Sequence, residues 1–187
     1  RYLTGFTGSS ALLLVRPHDT VLVSDFRYAA QAPREVGDTA RVEIDQVNVW
    51  DRLRRVLGER PGAALGFEAH IATVRERERL EALAGPGRWE ATSELVERLR
   101  TVKDVDEVRA IAAAACLAQA ALAEVLPSVR VGETEFEVAA RLEAALRRRR
   151  SEGHPFQTIV ASGPRAALPH ARTSDRTIER GDWLLLD

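Results

Sequence analysis

The sequence predicts an α/β unit followed by an α+β unit, with a boundary near residues 93–103. Over residues 11–91, short apolar runs rich in β-branched residues alternate with helical periodicities. This alternation is typical of a layered sheet with some parallel strand pairing. Over residues 104–150, two long helical patterns precede two further strand-like runs, 156–161 and 182–187, an order that indicates an α+β unit.

The first unit opens on a turn-rich segment, residues 2–10, with two glycines among Thr and Ser. No Gly-Lys-Ser/Thr follows, so we interpret the segment as a tight turn into a strand and not as a phosphate loop. Residues 11–15 and 20–24 then predict a hairpin with His18 in its solvated turn.

Further strands and helices follow in alternation up to the predicted linker helix at residues 94–103. The helix starts are marked by residues that favour N-caps, and the ends by Pro and Gly. The predicted elements are strands at 41–45, 63–67 and 88–91, a helix after Asn48 that ends at Pro61-Gly62, and a helix after Thr73 that ends at residues 85–87.

Two capping boxes predict the helices of the second unit. Asp104 with Glu107 begins a long alanine-rich helix that ends near Pro127, and Thr134 with Glu137 begins the next one. Cys116 falls inside the first helix, where we expect a small buried residue and not a nucleophile. The second helix ends in four arginines, which favour a helix C-terminus through the macrodipole and do not require a nucleic-acid partner.

The last residues combine a strand-like run with a carboxylate. Residues 183–186 form a continuous apolar run, which predicts a strand buried on both faces, and Asp187 ends it. A buried carboxylate must be paired, hydrogen-bonded or bound to a metal. Asp187 could therefore pair with an arginine or backbone amide, or ligate a hard cation together with groups from the His170 loop. His170 itself could be an ordinary surface histidine.

The composition indicates a globular protein with no global attraction to nucleic acid or membranes. The net charge is −1 over 187 residues, and no apolar run approaches the roughly 20 residues of a membrane span. A single cysteine excludes an intrachain disulfide and indicates a reducing, cytoplasmic compartment. The chain has no methionine and ends on a strand, so we expect it to be a portion of a longer polypeptide.

Eight short segments occur in the order in which one peptidase family carries them. Together they resemble the Xaa-Pro aminopeptidases and Xaa-Pro dipeptidases (prolidases) of the creatinase and methionine-aminopeptidase superfamily. The segments are residues 1–10 (RYLTGFTGSS), 25–28 (DFRY), 66–68, 100–103 with Glu107, 132–135, 156–163 (FQTIVASG), Pro169-His170 and 181–187.

This resemblance implies the fold and its limits. Residues 1–93 would form a creatinase-like N-terminal α/β domain, residues 94–103 a linker helix, and residues 104–187 the first half of an α+β pita-bread metallopeptidase domain. Arg165 stands where the family commonly has an asparagine.

The resemblance also implies a two-metal site. Family members hold two divalent cations with two Asp, one His and two Glu, and Asp187 matches the first Asp of that set. The other four ligands lie beyond the residues of this chain, so we expect the chain alone to be inactive. The resemblance suggests Mn²⁺ or Co²⁺, and Zn²⁺ stays open; bridging carboxylates would hold two such cations close enough to activate one water between them.

The remaining site residues face the substrate in the family. His170 matches a histidine that is not a ligand but hydrogen-bonds the substrate near the scissile bond. Phe156 matches a residue lining the pocket for the residue before proline, and His154 lies close enough in sequence to share that role. Arg27 and Tyr28 fall in a region that approaches the active site of the partner subunit, which implies a homodimer.

Three functions are compatible with these residues. The first is a metallopeptidase that cleaves the bond before proline, as an aminopeptidase or a dipeptidase. The second is a pita-bread module that binds peptides or proteins without catalysis, and the third is a creatinase-type amidinohydrolase. Bound metal would distinguish the first function from the other two.

Overall fold

The computed structural model describes residues 1–58, 64–84 and 88–187. They form two compact units, Arg1–Arg100 and Thr101–Asp187. The domain limits expected from the sequence, 1–93, 94–103 and 104–187, stay predictions. The helix ends predicted at Pro61-Gly62 and at residues 85–87, and the first residue of the strand predicted at 63–67, lie outside the described residues.

The first unit contains a three-stranded mixed sheet. Strands β1 (Ala11–Arg16) and β2 (Asp19–Asp25) form an antiparallel hairpin, and β3 (Arg41–Asp45) pairs with β2 in parallel. Helix α1 (Gln31–Val36) lies between β2 and β3 in the sequence. The predicted hairpin and the predicted strand at 41–45 are therefore confirmed.

A second, two-stranded sheet in this unit is parallel throughout. Strands β4 (Leu65–Glu68) and β5 (Trp89–Thr92) pair in register. Helix α2 (Val49–Gly58) precedes β4, helix α3 (Val74–Ala84) separates the two strands, and α4 (Leu95–Thr101) follows. The parallel pairing confirms the prediction that this half of the chain is an α/β unit.

The predicted helix starts are also confirmed. At the start of α2, Asn48 Oδ1 accepts a hydrogen bond from the Trp50 amide at 3.0 Å. At the start of α3, Thr73 Oγ1 accepts one from the Glu76 amide at 3.2 Å. These bonds satisfy amides that the first turn of a helix leaves without a backbone partner.

The second unit begins with two long helices, α5 (Val105–Val125) and α6 (Glu135–Arg148). Both predicted capping boxes are present: Asp104 with Glu107 opens α5, and Thr134 with Glu137 opens α6. One apolar core joins the helices to the strands that follow. Its buried members are Ala121, Val125, Val138, Ala139, Leu142, Ala145, Val160 and Ile178.

Helix α5 corrects two expectations. Cys116 is exposed, not buried, because α5 contributes to the core only near its C-terminal end, through Ala121 and Val125. In addition, residues Val105–Ser128 are long and apolar enough to cross a membrane by length and composition, with a mean hydropathy of 1.7 over 18 residues. This corrects the expectation that no apolar run approaches that length, although the stretch without a charged residue, 110–123, is shorter than a membrane span needs.

The two strands of the second unit are shorter and less covered than predicted. Strand β6 (Val160–Ser162) pairs in antiparallel fashion with β7 (Leu184–Leu186). The leucines of β7 are only partly buried and Trp183 is 84% exposed, so burial on both faces was wrong. Within the described residues β7 has β6 as its one strand partner, and only Leu184 and Leu186 pack against the core.

Glu133 gives the second unit a predictable acid sensitivity. Its carboxylate accepts bonds from Arg141 at 2.6 and 2.7 Å and from the Arg130 amide at 2.8 Å. The Arg141 side chain is the main reason that the pKa of Glu133 falls from 4.5 to about 2. Because the pKa is lower in the folded state, the carboxylate stabilises the fold above about pH 4.5, and this contribution is lost as the pH falls towards 2.

We therefore expect Glu133→Gln to lose stability less steeply than the wild-type chain between pH 4.5 and 2. Urea unfolding at a series of pH values measures this slope. Asp175→Asn, which changes an exposed carboxylate of the same unit, serves as the control. Identical slopes for Glu133→Gln and the wild type would contradict the role of the Arg141 pair.

Candidate active site

His170 lies in an irregular loop between β6 and residue 174. The loop starts with a 3-10 helix, Gly163–Ala167, and His170 is exposed in the turn that follows. At the start of the loop, the Gly163 amide donates to the Trp183 carbonyl at 2.9 Å. Three residues after His170, the Thr173 hydroxyl accepts from the Val160 amide and donates to the Thr158 carbonyl, both at 2.9 Å.

Asp187 is held by its backbone beside the same strand. Its amide donates to the Ile159 carbonyl at 2.9 Å, and the Ile159 amide donates to its carbonyl at 2.7 Å. Its side chain is exposed. Among the ion pairs and side-chain hydrogen bonds found within residues 1–58, 64–84 and 88–187, none involves the Asp187 carboxylate. The arginine partner considered from the sequence is therefore not found in the described structure.

The structure thus attaches Asp187 and the His170 loop to one short segment, residues 158–160. Phe156 and His154 immediately precede this segment; both are exposed, and Phe156 retains 51% of its accessible surface. The sequence predicted a strand from residue 156, but β6 begins only at Val160. Because the preceding residues lack a strand conformation, Phe156 and His154 lie on a connecting segment and not on the sheet.

Arg27 and Tyr28 lie in the first unit, in a 3-10 turn after β2. The Arg27 guanidinium donates to both carboxylate oxygens of Asp25, at 2.8 and 2.7 Å, and lies 5.4 Å from the centroid of the Tyr28 ring. The hydrogen bond from Arg27 is the main reason that the pKa of Asp25 falls to about 2. The Tyr28 hydroxyl lies 2.7 Å from the Ser9 hydroxyl. These contacts give both residues a role in holding the turn together.

The sequence reasoning assigned no role to Glu135, which is the largest fully buried side chain of the described structure. Its carboxylate accepts hydrogen bonds from Ser162, Arg165 and Ser174. One signal was available. Glu135 stands at helical spacing from Val138 and Leu142, on the face that α6 buries. An acidic residue on an apolar helix face requires buried partners.

A second ion pair adjoins this carboxylate. Arg176 Nη1 donates to the Ser162 hydroxyl and to Asp182 Oδ2, both at 2.6 Å. The hydrogen bond from Arg176 lowers the pKa of Asp182, and the Asp182 carboxylate in turn raises the pKa of Arg176. Ser162 therefore lies between two charged groups, Glu135 and Arg176, at the start of the His170 loop.

Gly163 is required at the start of this loop by its conformation and by its surroundings. Its φ is +54°, and an added Cβ would lie 2.6 Å from Asp182 Oδ1 and 2.7 Å from Arg176 Nη2. We expect Gly163→Ala to cost about 2–5 kcal/mol, because backbone strain adds to displacement of the ion pair.

Gly132→Ala is the matched control, since its φ is +91° and its added Cβ would meet no atom within 4 Å. That variant should show the strain alone, about 1–2 kcal/mol. Urea unfolding measures both values. Equal losses in the two variants would show that the contact with Asp182 and Arg176 has no cost.

In the parts of the chain that the structure describes, no three side chains of His, Cys, Asp or Glu are grouped so as to hold a metal ion. The described residues therefore do not fit a two-metal centre by themselves. Asp187 is the one site residue with an exposed carboxylate available for such a centre.

Comparison with known proteins gives two family matches that divide the chain. Residues 1–102 match the creatinase/prolidase N-terminal domain, and residues 109–187 match metallopeptidase family M24. The chain therefore belongs to the M24 metallopeptidases that carry a creatinase/prolidase N-terminal domain. The predicted fold class, a creatinase-like domain followed by part of a pita-bread domain, is confirmed.

Individual relatives agree with this assignment. An uncharacterized peptidase of Bacillus subtilis is 32% identical over 100% of this chain and 53% of its own length. An X-Pro aminopeptidase from Thermotoga maritima superposes with a TM-score of 0.91 at 33% identity, covering 100% of this chain and 53% of the other. An Xaa-Pro dipeptidase from Bacillus anthracis superposes with a TM-score of 0.89, also at 33% identity, covering 100% and 52%. The chain thus spans about half the length of these relatives.

Proposed function

We propose that this chain contributes Asp187 and His170 to the active site of a proline-specific metallopeptidase, which hydrolyses Xaa-Pro peptide bonds. The observation that carries the proposal is the attachment of Asp187, and of the loop that bears His170, to one segment, residues 158–160. The similarity over the whole chain to an X-Pro aminopeptidase and an Xaa-Pro dipeptidase supports the proline specificity.

The metal assignment is limited to one ligand. Asp187 presents an exposed carboxylate on a backbone fixed by two hydrogen bonds to Ile159. Because no group of three such side chains occurs within the described residues, the cations would need ligands from residues that this sequence does not contain. With those additional ligands, we propose that the site binds two divalent cations, Mn²⁺ or Co²⁺, with Zn²⁺ as the alternative.

His170 would supply a hydrogen bond to the substrate. Its imidazole is exposed, while hydrogen bonds hold the loop at both ends. A neutral imidazole donates one hydrogen bond, which can stabilise the charge that develops on a carbonyl oxygen during peptide hydrolysis. We assign it that role and no role as a metal ligand.

The roles of the residues that would face the substrate are proposed from their positions in the chain. Phe156 and His154 are exposed just before the segment that holds Asp187, where they would contact the residue preceding proline. Arg27 and Tyr28 would approach the active site of a second subunit in a homodimer. The exposed, unpaired Cys116 is compatible with a cytoplasmic location, where thiols stay reduced.

The test is hydrolysis by an enzyme that carries this chain together with the remaining metal ligands, loaded with Mn²⁺. Matched dipeptides, Ala-Pro and Ala-Ala, and the tripeptide Ala-Pro-Ala are offered as substrates. We expect cleavage before proline only, and the relative rates on Ala-Pro and Ala-Pro-Ala distinguish a dipeptidase from an aminopeptidase. Bound metal without cleavage of any of these substrates would contradict the proposal. Elemental analysis showing no metal would favour the binding module, unless the protein hydrolyses creatine.

A further inference from the structure

The loop that carries His170 is joined at its base by a single buried carboxylate. Glu135 accepts from the Ser162 amide at 2.8 Å and from its hydroxyl at 3.0 Å, just before the loop. It also accepts from the Ser174 amide at 3.0 Å and from its hydroxyl at 2.7 Å, just after the loop. The two ends of residues 163–173 are therefore held to one side chain of α6.

Arg165 extends this connection into the loop itself. Its Nε lies 3.2 Å from each oxygen of Glu135, and its Nη2 donates to the carbonyl of Arg172. One guanidinium thus connects the first turn of the loop with the residue two positions after His170. Because Arg165 is itself anchored on Glu135, its position also depends on the buried carboxylate.

The charge of Glu135 is needed for these contacts. Burial alone raises the pKa of this carboxyl, but hydrogen bonds from Ser174 and Ser162 and the charge of Arg165 outweigh it, so the pKa is lowered. The group is therefore ionised at neutral pH and offers only acceptors to its five donors. An uncharged amide of the same shape would present hydrogen atoms to amides that can only donate, leaving some of them unpaired.

The position of this network indicates more than core stability. A buried ion pair is weak support for stability, since apolar residues of similar size often stabilise a core as well or better. The other buried residues of α6 are apolar, and every hydrogen bond to the Glu135 carboxylate comes from the two ends or the first turn of the His170 loop. The carboxylate thus fixes the loop relative to α6 and β6.

We infer that Glu135 is a positioning residue that holds the His170 loop in the geometry used for substrate binding, and that Arg165 transmits this restraint across the loop. The inference deepens the proposed function and rests on it for the role of His170. It predicts that loss of the Glu135 charge loosens residues 163–173 while the packing of α6 stays intact.

Hydrogen–deuterium exchange of the full 187-residue chain tests the restraint directly. The Leu168 and Ala171 amides, which donate within the loop, report on it, and amides inside α6 report on the core. We expect Glu135→Gln to speed exchange across residues 163–174 by about 10-fold or more, with α6 unchanged. The control is Glu133→Gln, which removes a carboxylate of the same unit whose three hydrogen bonds lie outside the loop, and it should leave loop exchange unchanged.

If Glu135→Gln does not fold, a second variant tests the same inference. Arg165→Asn removes only the partly exposed guanidinium and should speed exchange at residues 166–172 while α6 keeps its protection. Unchanged loop exchange in a folded Glu135→Gln, or in Arg165→Asn when the first variant is unfolded, would overturn the inference. Equal acceleration in the loop and in α6 would also overturn it, because the carboxylate would then serve general stability.

Kinetics in the metal-loaded enzyme separate this inference from the proposed function. We expect Glu135→Gln to lower kcat on an Xaa-Pro substrate by about 10–100-fold with little change in KM, because a displaced His170 loses a contact made mainly in the transition state. Glu135→Asp should recover part of this loss. If the wild-type enzyme cleaves no Xaa-Pro bond, the proposed function fails, whereas unchanged loop exchange refutes the positioning role alone.

Discussion

Replacement of His170 by alanine should lower kcat for an Xaa-Pro substrate by about 10²–10³-fold, the loss typical of removing one donor to a developing oxyanion. KM should change little, because the hydrogen bond strengthens only as charge develops on the carbonyl oxygen. The fold should be unaffected, since the side chain is exposed and the loop is held by Thr173 and by the bonds to Ser162 and Ser174. Steady-state kinetics of the metal-loaded enzyme measures the two constants separately.

The control for this variant is His18→Ala, which removes an exposed imidazole from the β1–β2 turn of the first unit. It should keep the wild-type kcat and KM. A His170→Ala enzyme with wild-type kcat, or one in which only KM rises, would contradict the assignment of His170 to the transition state.

Asp187→Asn should weaken metal binding by about 100-fold or more, since loss of a ligand exceeds the 10–100-fold typical of an outer-shell partner. The amide keeps the size of the side chain but loses the charge that a divalent cation requires. Folding should not suffer, because within the described residues the Asp187 contacts are the backbone bonds to Ile159. Titration of the metal-free enzyme with Mn²⁺ by calorimetry measures the affinity.

Asp175→Asn provides the matched control for this change. Asp175 is an exposed carboxylate of the same unit, and its replacement should leave Mn²⁺ affinity unchanged. Equal affinities for Asp187→Asn and Asp175→Asn would show that the Asp187 carboxylate is not a ligand.

Local signals in the sequence predicted most of the fold. The capping boxes at Asp104 and Thr134 begin α5 and α6 because their side chains satisfy helix amides within three residues, so no distant contact is needed. The hairpin of β1 and β2 follows in the same way from two β-rich runs and a short turn. Such features depend on neighbours in the sequence, so they can be predicted from the sequence alone.

The wrong predictions concern burial, because the burial of a residue depends on which distant parts of the chain pack against it. Cys116 was expected to be buried because it is small and lies in an apolar helix, but the core touches α5 only near its end. Trp183 was expected in a strand covered on both faces, yet it is exposed beside a strand with one described partner. An apolar run indicates a strand; it does not indicate which faces are covered.

The same distinction between local and long-range signals applies to the candidate site. Asp187 and His170 were chosen from residue type and resemblance, and their proposed roles stay predictions. The proposed roles of Phe156, His154, Arg27 and Tyr28 also stay predictions. The network around Glu135 was missed because its donors come from positions 27 to 39 residues away. Only the tertiary fold brings those residues together. The sequence did indicate that Glu135 needs buried partners, because it is an acidic residue on an apolar helix face.

The central claim is that the Asp187 carboxylate belongs to a cation site beside the His170 loop. Anomalous diffraction from crystals of the complete enzyme soaked in Mn²⁺ tests it most directly. The claim predicts an anomalous peak within coordination distance of the Asp187 carboxylate, with the His170 imidazole near the metals but not bound to them. A peak elsewhere, with Asp187 paired to an arginine, would contradict it.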